Sequence, residues 1–336
     1  MLTRNPFEGK NEINIVYLGG SITEGYKSSG VETCYVGLCS DWFKDKFPSI
    51  TVNNHNMGVG GTGSNFGMVR MDRDVLSKNP DMLFVEFAVN DGNGDSRATM
   101  ESIVRKTLLC ENVPYIVFLY TANKTYSVEP KYHQEIADYY GIPTINLQDV
   151  LKEKTGGADP VEMGLFLDGV HPLDGGFKIY ADAIIEKLEK DNFYARPQNK
   201  EPLMKECVMF DAQFVPSTKY SHSEGWTEKT GHRGYEGLFT EKAGETITFE
   251  FDGNYLAIEA GLHKESALLE VYVDGELVKT LSYYYNMVAF QTNYQSVTHK
   301  LSLGHHTVTI KTKEETNEAH PGTTMMVYHI ITGTAK

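Results

Sequence analysis

Ile13-Asn14-Ile15-Val16-Tyr17-Leu18-Gly19-Gly20-Ser21-Ile22-Thr23 decides the fold. Its first six residues form an apolar run of strand length, rich in β-branched and aromatic side chains. Two glycines end that run, and a serine stands where the chain must turn. A serine so placed sits at the rim of a sheet, where α/β folds gather their reactive groups. Similar apolar runs at 50–54, 82–88, 115–120 and 143–147 predict four more buried strands. Helical spacing fills the intervals. Residues 34–47 bring Tyr35, Leu38, Trp42 and Phe43 to one face before Pro48, and 96–109 do so with Met100, Ile103, Val104, Thr107 and Leu108. Residues 128–140 and 176–188 read the same way. Strands alternating with such helices imply right-handed crossovers and a mostly parallel sheet covered on both faces. The expectation is a three-layer α/β/α sandwich on five strands.

The stretch Phe193-Tyr194-Ala195-Arg196-Pro197-Gln198-Asn199-Lys200-Glu201-Pro202 breaks this rhythm with two prolines and no periodicity. It reads as a linker, giving domains at 1–195 and 196–336. Beyond it the period becomes two: 246–251 and 268–273 alternate, and Asp274-Gly275 signals a hairpin into 276–278. Residues 306–311, after Leu303-Gly304, and 325–331 continue in that style. Short strands at this density predict an antiparallel β-sandwich of about 130 residues.

The 336 residues carry a net charge of −14, with 40% hydrophobic and 23% charged residues, an ordinary globular composition. That charge argues against nucleic acid or an anionic membrane as partner. The cysteines Cys34, Cys39, Cys110 and Cys207 form no CxxC pair and read as reduced, mostly buried thiols. The N-terminus has no apolar signal-peptide core, and no run of about 18 apolar residues occurs, so a cytoplasmic protein is expected. The histidines, His305-His306 included, lack metal-ligand spacing, and no metal or other cofactor is expected.

A serine hydroxyl is a poor nucleophile until a base takes its proton. Asp168-Gly169-Val170-His171-Pro172 offers that base. A carboxylate three residues before a histidine, in a turn with Gly and Pro, can hold one ring nitrogen while the other faces Ser21. Acyl transfer also needs donors for the developing oxyanion, each worth about 2.7–4 kcal/mol. The glycine-rich Asn56-Met57-Gly58-Val59-Gly60-Gly61-Thr62-Gly63 can expose backbone N–H groups, and Ala88-Val89-Asn90-Asp91 brings the Asn90 amide to the end of the third strand. Each element alone has an ordinary explanation: a tight strand-to-helix connection, a surface histidine, a loop, a turn-forming asparagine. All four falling at strand ends favours acyl transfer.

These blocks resemble the SGNH, or GDSL-like, hydrolase superfamily over about residues 10–190. Gly20 stands where aspartate is common in the family, and Ala88 where glycine is. The resemblance implies a flavodoxin-like parallel sheet and a serine esterase. It assigns Ser21 as nucleophile, His171 as base and Asp168 as its orienting carboxylate. It builds the oxyanion hole from the N–H groups of Ser21 and Gly61 and the Asn90 amide.

For the substrate, the second domain carries Trp226, Tyr283, Tyr284, Tyr285 and Tyr294. Aromatic faces stack on sugar rings, although the same residues also serve to pack a sandwich. A hydrolase domain followed by a jelly-roll-like module is similar to carbohydrate O-acetyl esterases whose module resembles a carbohydrate-binding module. That implies acetylated mannan- or xylan-type oligosaccharides as partners, with Trp226, Tyr283, Tyr284 and Tyr285 as substrate-binding candidates. A lipid-acyl or thioester hydrolase with the same triad is one alternative, and an inert glycan-binding protein another. A phosphate-binding turn at Gly19-Gly20-Ser21 leaves Asp168 and His171 without purpose.

Overall fold

The computed structural model describes residues 4–92, 94–204, 210–298, 300–313 and 322–335. The chain forms two units, Met1–Met209 and Phe210–Lys336.

In the first unit the elements run β1 (Glu12–Gly19), α1 (Ser21–Glu24), α2 (Tyr35–Lys46), β2 (Thr51–Gly58), α3 (Ser64–Val69), β3 (Met82–Glu86) and α4 (Ala88–Asp91). They continue as α5 (Arg97–Thr107), β4 (Tyr115–Tyr120), α6 (Lys131–Tyr140), β5 (Thr144–Asn146), α7 (Leu147–Lys154) and α8 (Asp174–Leu188). The strands pair in parallel in the order β2-β1-β3-β4-β5, the flavodoxin-like arrangement. Alternation along β1 separates two cores. Ile13, Ile15 and Tyr17 join the face covered by α2 and α8, through Tyr35, Phe43, Phe177 and Tyr180. Val16 and Leu18 join the face covered by α5 and α6, through Met100, Ile103 and Ile136.

The predicted strands all form, with three differences at their ends. β2 runs on to Gly58 through polar Asn53, Asn54, His55 and Asn56. As an edge strand it is only half buried, so it needs no apolar run. Phe87 leaves β3 and Ala88 opens the short α4, so Asn90 lies on a helical turn. The helix α7, which the sequence reading missed, begins directly after β5 because the Asn146 side chain accepts the Asp149 N–H at 3.2 Å and caps it.

The first unit continues to Met209, past the expected boundary at 195. Residues beyond 195 remain bonded to it: the Arg196 guanidinium donates to the Val113 carbonyl at 2.6 Å and Gln198 N–H to the Tyr140 carbonyl at 2.9 Å. The Leu203 and Met204 N–H groups donate to the buried Glu101 carboxylate.

The second unit comprises β6 (Phe210–Pro216), β7 (Ser221–His222), β8 (Thr227–Thr230), β9 (Glu236–Thr240), β10 (Thr246–Gly253) and β11 (Tyr255–Leu262). β12 (Leu268–Val273), β13 (Glu276–Ser282), β14 (Gln291–Thr298), β15 (Gly304–Thr312) and β16 (Met325–Ala335) follow. They make two antiparallel sheets, β13-β12-β15-β10-β7 and β14-β11-β16-β9-β8, with β6 added to β16. Ile247 and Phe249 of β10 and Val271 of β12 share one core with Ile258 of β11 and Ile330 of β16, as a sandwich requires. The predicted hairpin forms at Asp274 and Gly275, whose φ values of 53° and 86° suit a mirror-image turn.

Among the described residues no helix is long and apolar enough to cross a membrane. Cys34 and Cys39 are buried free thiols and Cys110 a half-buried one, whereas Cys207 lies outside the described residues.

Candidate active site

The ends of three strands define the site. Gly19 of β1 pairs with Gly58 of β2 on one side and with Glu86 of β3 on the other, so the chain leaves all three strands in one row. Ser21 follows as the first residue of α1, where its N–H has no acceptor within the helix. The glycines are there for close approach. A Cβ on Gly20 would lie 2.3 Å from Asn90 Oδ1, and one on Gly58 would lie 2.1 Å from the Glu24 nitrogen.

Ser21 Oγ lies 2.9 Å from His171 Nε2. On the opposite side of the ring, His171 Nδ1 is 2.8 Å from Asp168 Oδ2 and 3.0 Å from Oδ1. Asp168 Oδ1 also accepts the N–H groups of Val170 (2.9 Å) and His171 (3.0 Å), so the carboxylate shapes its own turn. Leu167 N–H donates to the His171 carbonyl and Lys124 N–H to the Gly169 carbonyl, each at 2.8 Å, and α8 starts at Asp174. Burial pushes the Asp168 carboxyl up, but the hydrogen bonds from the His171 ring and the two N–H groups outweigh it and hold the group below its ordinary value. Asp168 thus keeps its charge in the acid range where an imidazole gains a proton.

Asn90 lies beside Gly20, as the 2.3 Å approach requires. Gly61 lies in the loop after β2 with φ +71°, a left-handed conformation that favours glycine. That loop is fastened over the serine turn: Val59 N–H donates to the Gly19 carbonyl at 3.0 Å and Gly60 N–H to Glu24 Oε2 at 3.0 Å. The sequence-predicted groups Ser21, His171, Asp168 and Asn90 therefore meet at one rim, with the Gly61 loop tied to the same turn.

Several supporting residues escaped the sequence reading. Arg70, fully buried, donates to the carbonyls of Met57 (2.6 Å) and Gly19 (3.0 Å) and to Asp74, fixing the ends of β1 and β2 together. Asp91 accepts the Ser64 N–H at 2.9 Å and contacts His133 Nε2 at 2.7 Å, joining the Asn90 turn to α3 and α6. The Tyr26 ring meets the His171 ring edge-on, with centroids 4.8 Å apart. Apart from Arg70 and Asp74, four residues apart, none of these pairs has a local spacing that would have announced it.

The aromatic candidates in the second unit divide. Tyr284 and Tyr285 are exposed, at 41% and 58%. Trp226 (3%) and Tyr283 (0%) belong to the sandwich core, and the Tyr283 hydroxyl donates to the Ile258 carbonyl at 2.8 Å. Trp226 and Tyr283 therefore present no free face to a sugar, which corrects the expectation for those two residues.

Residues 17–179 match the model of the GDSL-like Lipase/Acylhydrolase family. No curated protein matches the chain. Among solved structures it is similar to a two-domain esterase (CEX) active on acetylated mannans, co-crystallized with mannopentaose. That likeness has a TM-score of 0.83 and 24% identity over 98% of this chain and 93% of the other. A second structure of a two-domain esterase of that description gives a TM-score of 0.78 at 24% identity, covering 97% and 92%. At this identity the likeness concerns the fold, and it spans both units. With its β2-β1-β3-β4-β5 sheet and the match over residues 17–179, the first unit is similar to the GDSL-like lipase/acylhydrolase family.

Proposed function

We propose that this protein is a serine esterase that removes O-acetyl groups from mannan- or xylan-type oligosaccharides. The observation that carries the chemistry is the unbroken contact chain Ser21 Oγ–His171 Nε2–His171 Nδ1–Asp168. His171 takes the Ser21 proton as Oγ bonds to the acyl carbon. Asp168 holds the imidazole in the tautomer that leaves Nε2 free and stabilises the imidazolium that forms. The N–H groups of Ser21 and Gly61 and the Asn90 amide receive the oxyanion. The intermediate then collapses, the bond to the sugar oxygen breaks, and that oxygen leaves with the proton from Nε2. Water repeats the cycle on the acetyl-serine and releases acetate.

The substrate class rests on different support: the likeness to an esterase solved with mannopentaose, and the exposed rings of Tyr284 and Tyr285, which suit the C–H faces of sugars. Acetate release measured across acetylated mannan, xylan and chitin fragments, beside aryl acetate and aryl octanoate, tests this reading. Turnover of acetylated mannan or xylan fragments, with acetyl favoured over octanoyl esters, is expected. A preference for octanoyl esters, with no acetate released from any glycan, would replace it with a lipid-acyl or thioester hydrolase.

Asn90→Ala is expected to lower kcat on aryl acetate by about 10²–10³-fold with a small change in KM, because the lost donor acts on charge present only in the transition state. An unchanged kcat would remove Asn90 from the oxyanion hole.

A further inference from the structure

The C-terminal end of β3, which leads to Asn90, also carries a fully buried acid. Glu86 is 0% exposed and pairs with no lysine, arginine or histidine among the described residues. Its partners are all neutral donors. Thr23 Oγ1 donates to Oε2 at 2.9 Å, and Thr121 Oγ1 donates to Oε1 at 2.8 Å. The backbone N–H groups of Gly20 and Thr23 face the same carboxyl and favour its charged form. Thr23 Oγ1 lies in turn 2.8 Å from the Tyr35 hydroxyl on α2. The donors come from the residue before Ser21, from α1, and from the residue after β4.

From this geometry we infer that Glu86 is the positioning residue of the serine turn: its carboxylate holds the Thr23 hydroxyl, draws the N–H groups on either side of Ser21 towards it, and so ties the turn to the strand that carries Asn90. The inference rests on the esterase reading above. A carboxylate can accept from both hydroxyls and attract both N–H groups at once, because both oxygens offer lone pairs. A neutral carboxyl must donate one hydrogen into a ring of donors, and the two backbone N–H groups cannot turn away. Protonation therefore loosens the turn that aims Ser21.

The charge state is finely placed. Burial pushes the Glu86 carboxyl up to about 7, against the pull of Thr121, Thr23 and the two N–H groups. The titratable groups that face it are the Tyr35 phenol on α2 and the Tyr180 phenol on α8, both raised by burial and so neutral. Full activity then requires two deprotonated groups, the His171 imidazole and the Glu86 carboxylate. The consequence for stability has a fixed sign. An acid whose folded value lies above its unfolded one loses favour as pH rises, so stability falls from about pH 4.5 to about 7 and then levels.

The experiment measures kcat and KM on aryl acetate from about pH 5 to about pH 9, with thermal unfolding alongside, for the parent protein and for Ser21→Ala, Glu86→Gln and Thr121→Val. Glu86→Gln is expected to lower kcat by about 10–100-fold with KM within about twofold. The acid limb of its log kcat profile should fall from a two-proton to a one-proton slope. Its unfolding midpoint should lose the decline that the parent shows between about pH 4.5 and about 7. Thr121→Val, remote from the reacting atoms, removes one donor to the carboxylate and should move the Glu86 part of the acid limb to higher pH. That variant decides the matter if Glu86→Gln does not fold. Parent-like kcat and slope in Glu86→Gln, or an unmoved limb in Thr121→Val, overturns the inference while Ser21→Ala remains inactive. If instead Ser21→Ala keeps parent turnover, it is the esterase reading that fails.

Discussion

A Ser21→Ala protein is expected to fold as its parent does and to lose acetate release by about four to six orders of magnitude. The two halves of that result have separate causes. The alanine deletes one oxygen whose partner is His171 Nε2 at 2.9 Å. A single hydrogen bond at a partly exposed site is worth about 0.5–1.5 kcal/mol, so the unfolding midpoint should move by a few degrees at most. In the proposed mechanism the chemistry suffers far more, because without Oγ no acyl-serine forms and only the oxyanion donors remain to act on a water attack. Activity assays on aryl acetate and on acetylated oligosaccharides, with a melting curve for each variant, check both halves. Parent-like turnover in Ser21→Ala would end the mechanism.

His171→Ala should lose nearly as much, and the double variant Ser21→Ala/His171→Ala little more than either alone. On the proposed mechanism Ser21 and His171 act as a unit: an unactivated serine contributes as little as an absent one, so the losses do not add. Additive losses would show that the two residues work independently, in conflict with the contact chain from Oγ to Asp168. The His171→Ala protein should also remain close to the parent in stability, since the turn is held by backbone bonds at Leu167 and Lys124 and by the Val170 N–H on Asp168 Oδ1.

Much of this was legible in the sequence, for identifiable reasons. A strand buried on both faces must be a continuous apolar run, so β1, β3 and β4 announced themselves, as did the glycines that let Ser21 approach Asn90. Asp168 and His171 were legible because their partnership is local, only three residues apart. The supports of the site were not. Glu86 reads as one stray acid in an apolar strand until the fold brings Thr23 and Thr121 to it across 63 and 35 residues. Arg70 sits 51 residues from the Gly19 carbonyl it fixes, and Asp91 sits 42 from His133. Edge strands escape notice for the opposite reason: β2 has one poorly covered side and accepts Asn53 and His55 without penalty. In the second unit the period of two marks strands but does not say which face is covered. Tyr283 and Tyr285 look alike in the sequence, yet one is in the core and the other in solvent.

The most direct measurement is covalent. The parent protein, treated with a serine-directed fluorophosphonate until esterase activity is gone, should carry one adduct, located by peptide mass spectrometry on Ser21. The Ser21→Ala protein should carry none, and His171→Ala should label far more slowly. An adduct on another residue that tracks the loss of activity, or full esterase turnover by protein that cannot be labelled at Ser21, would contradict the account.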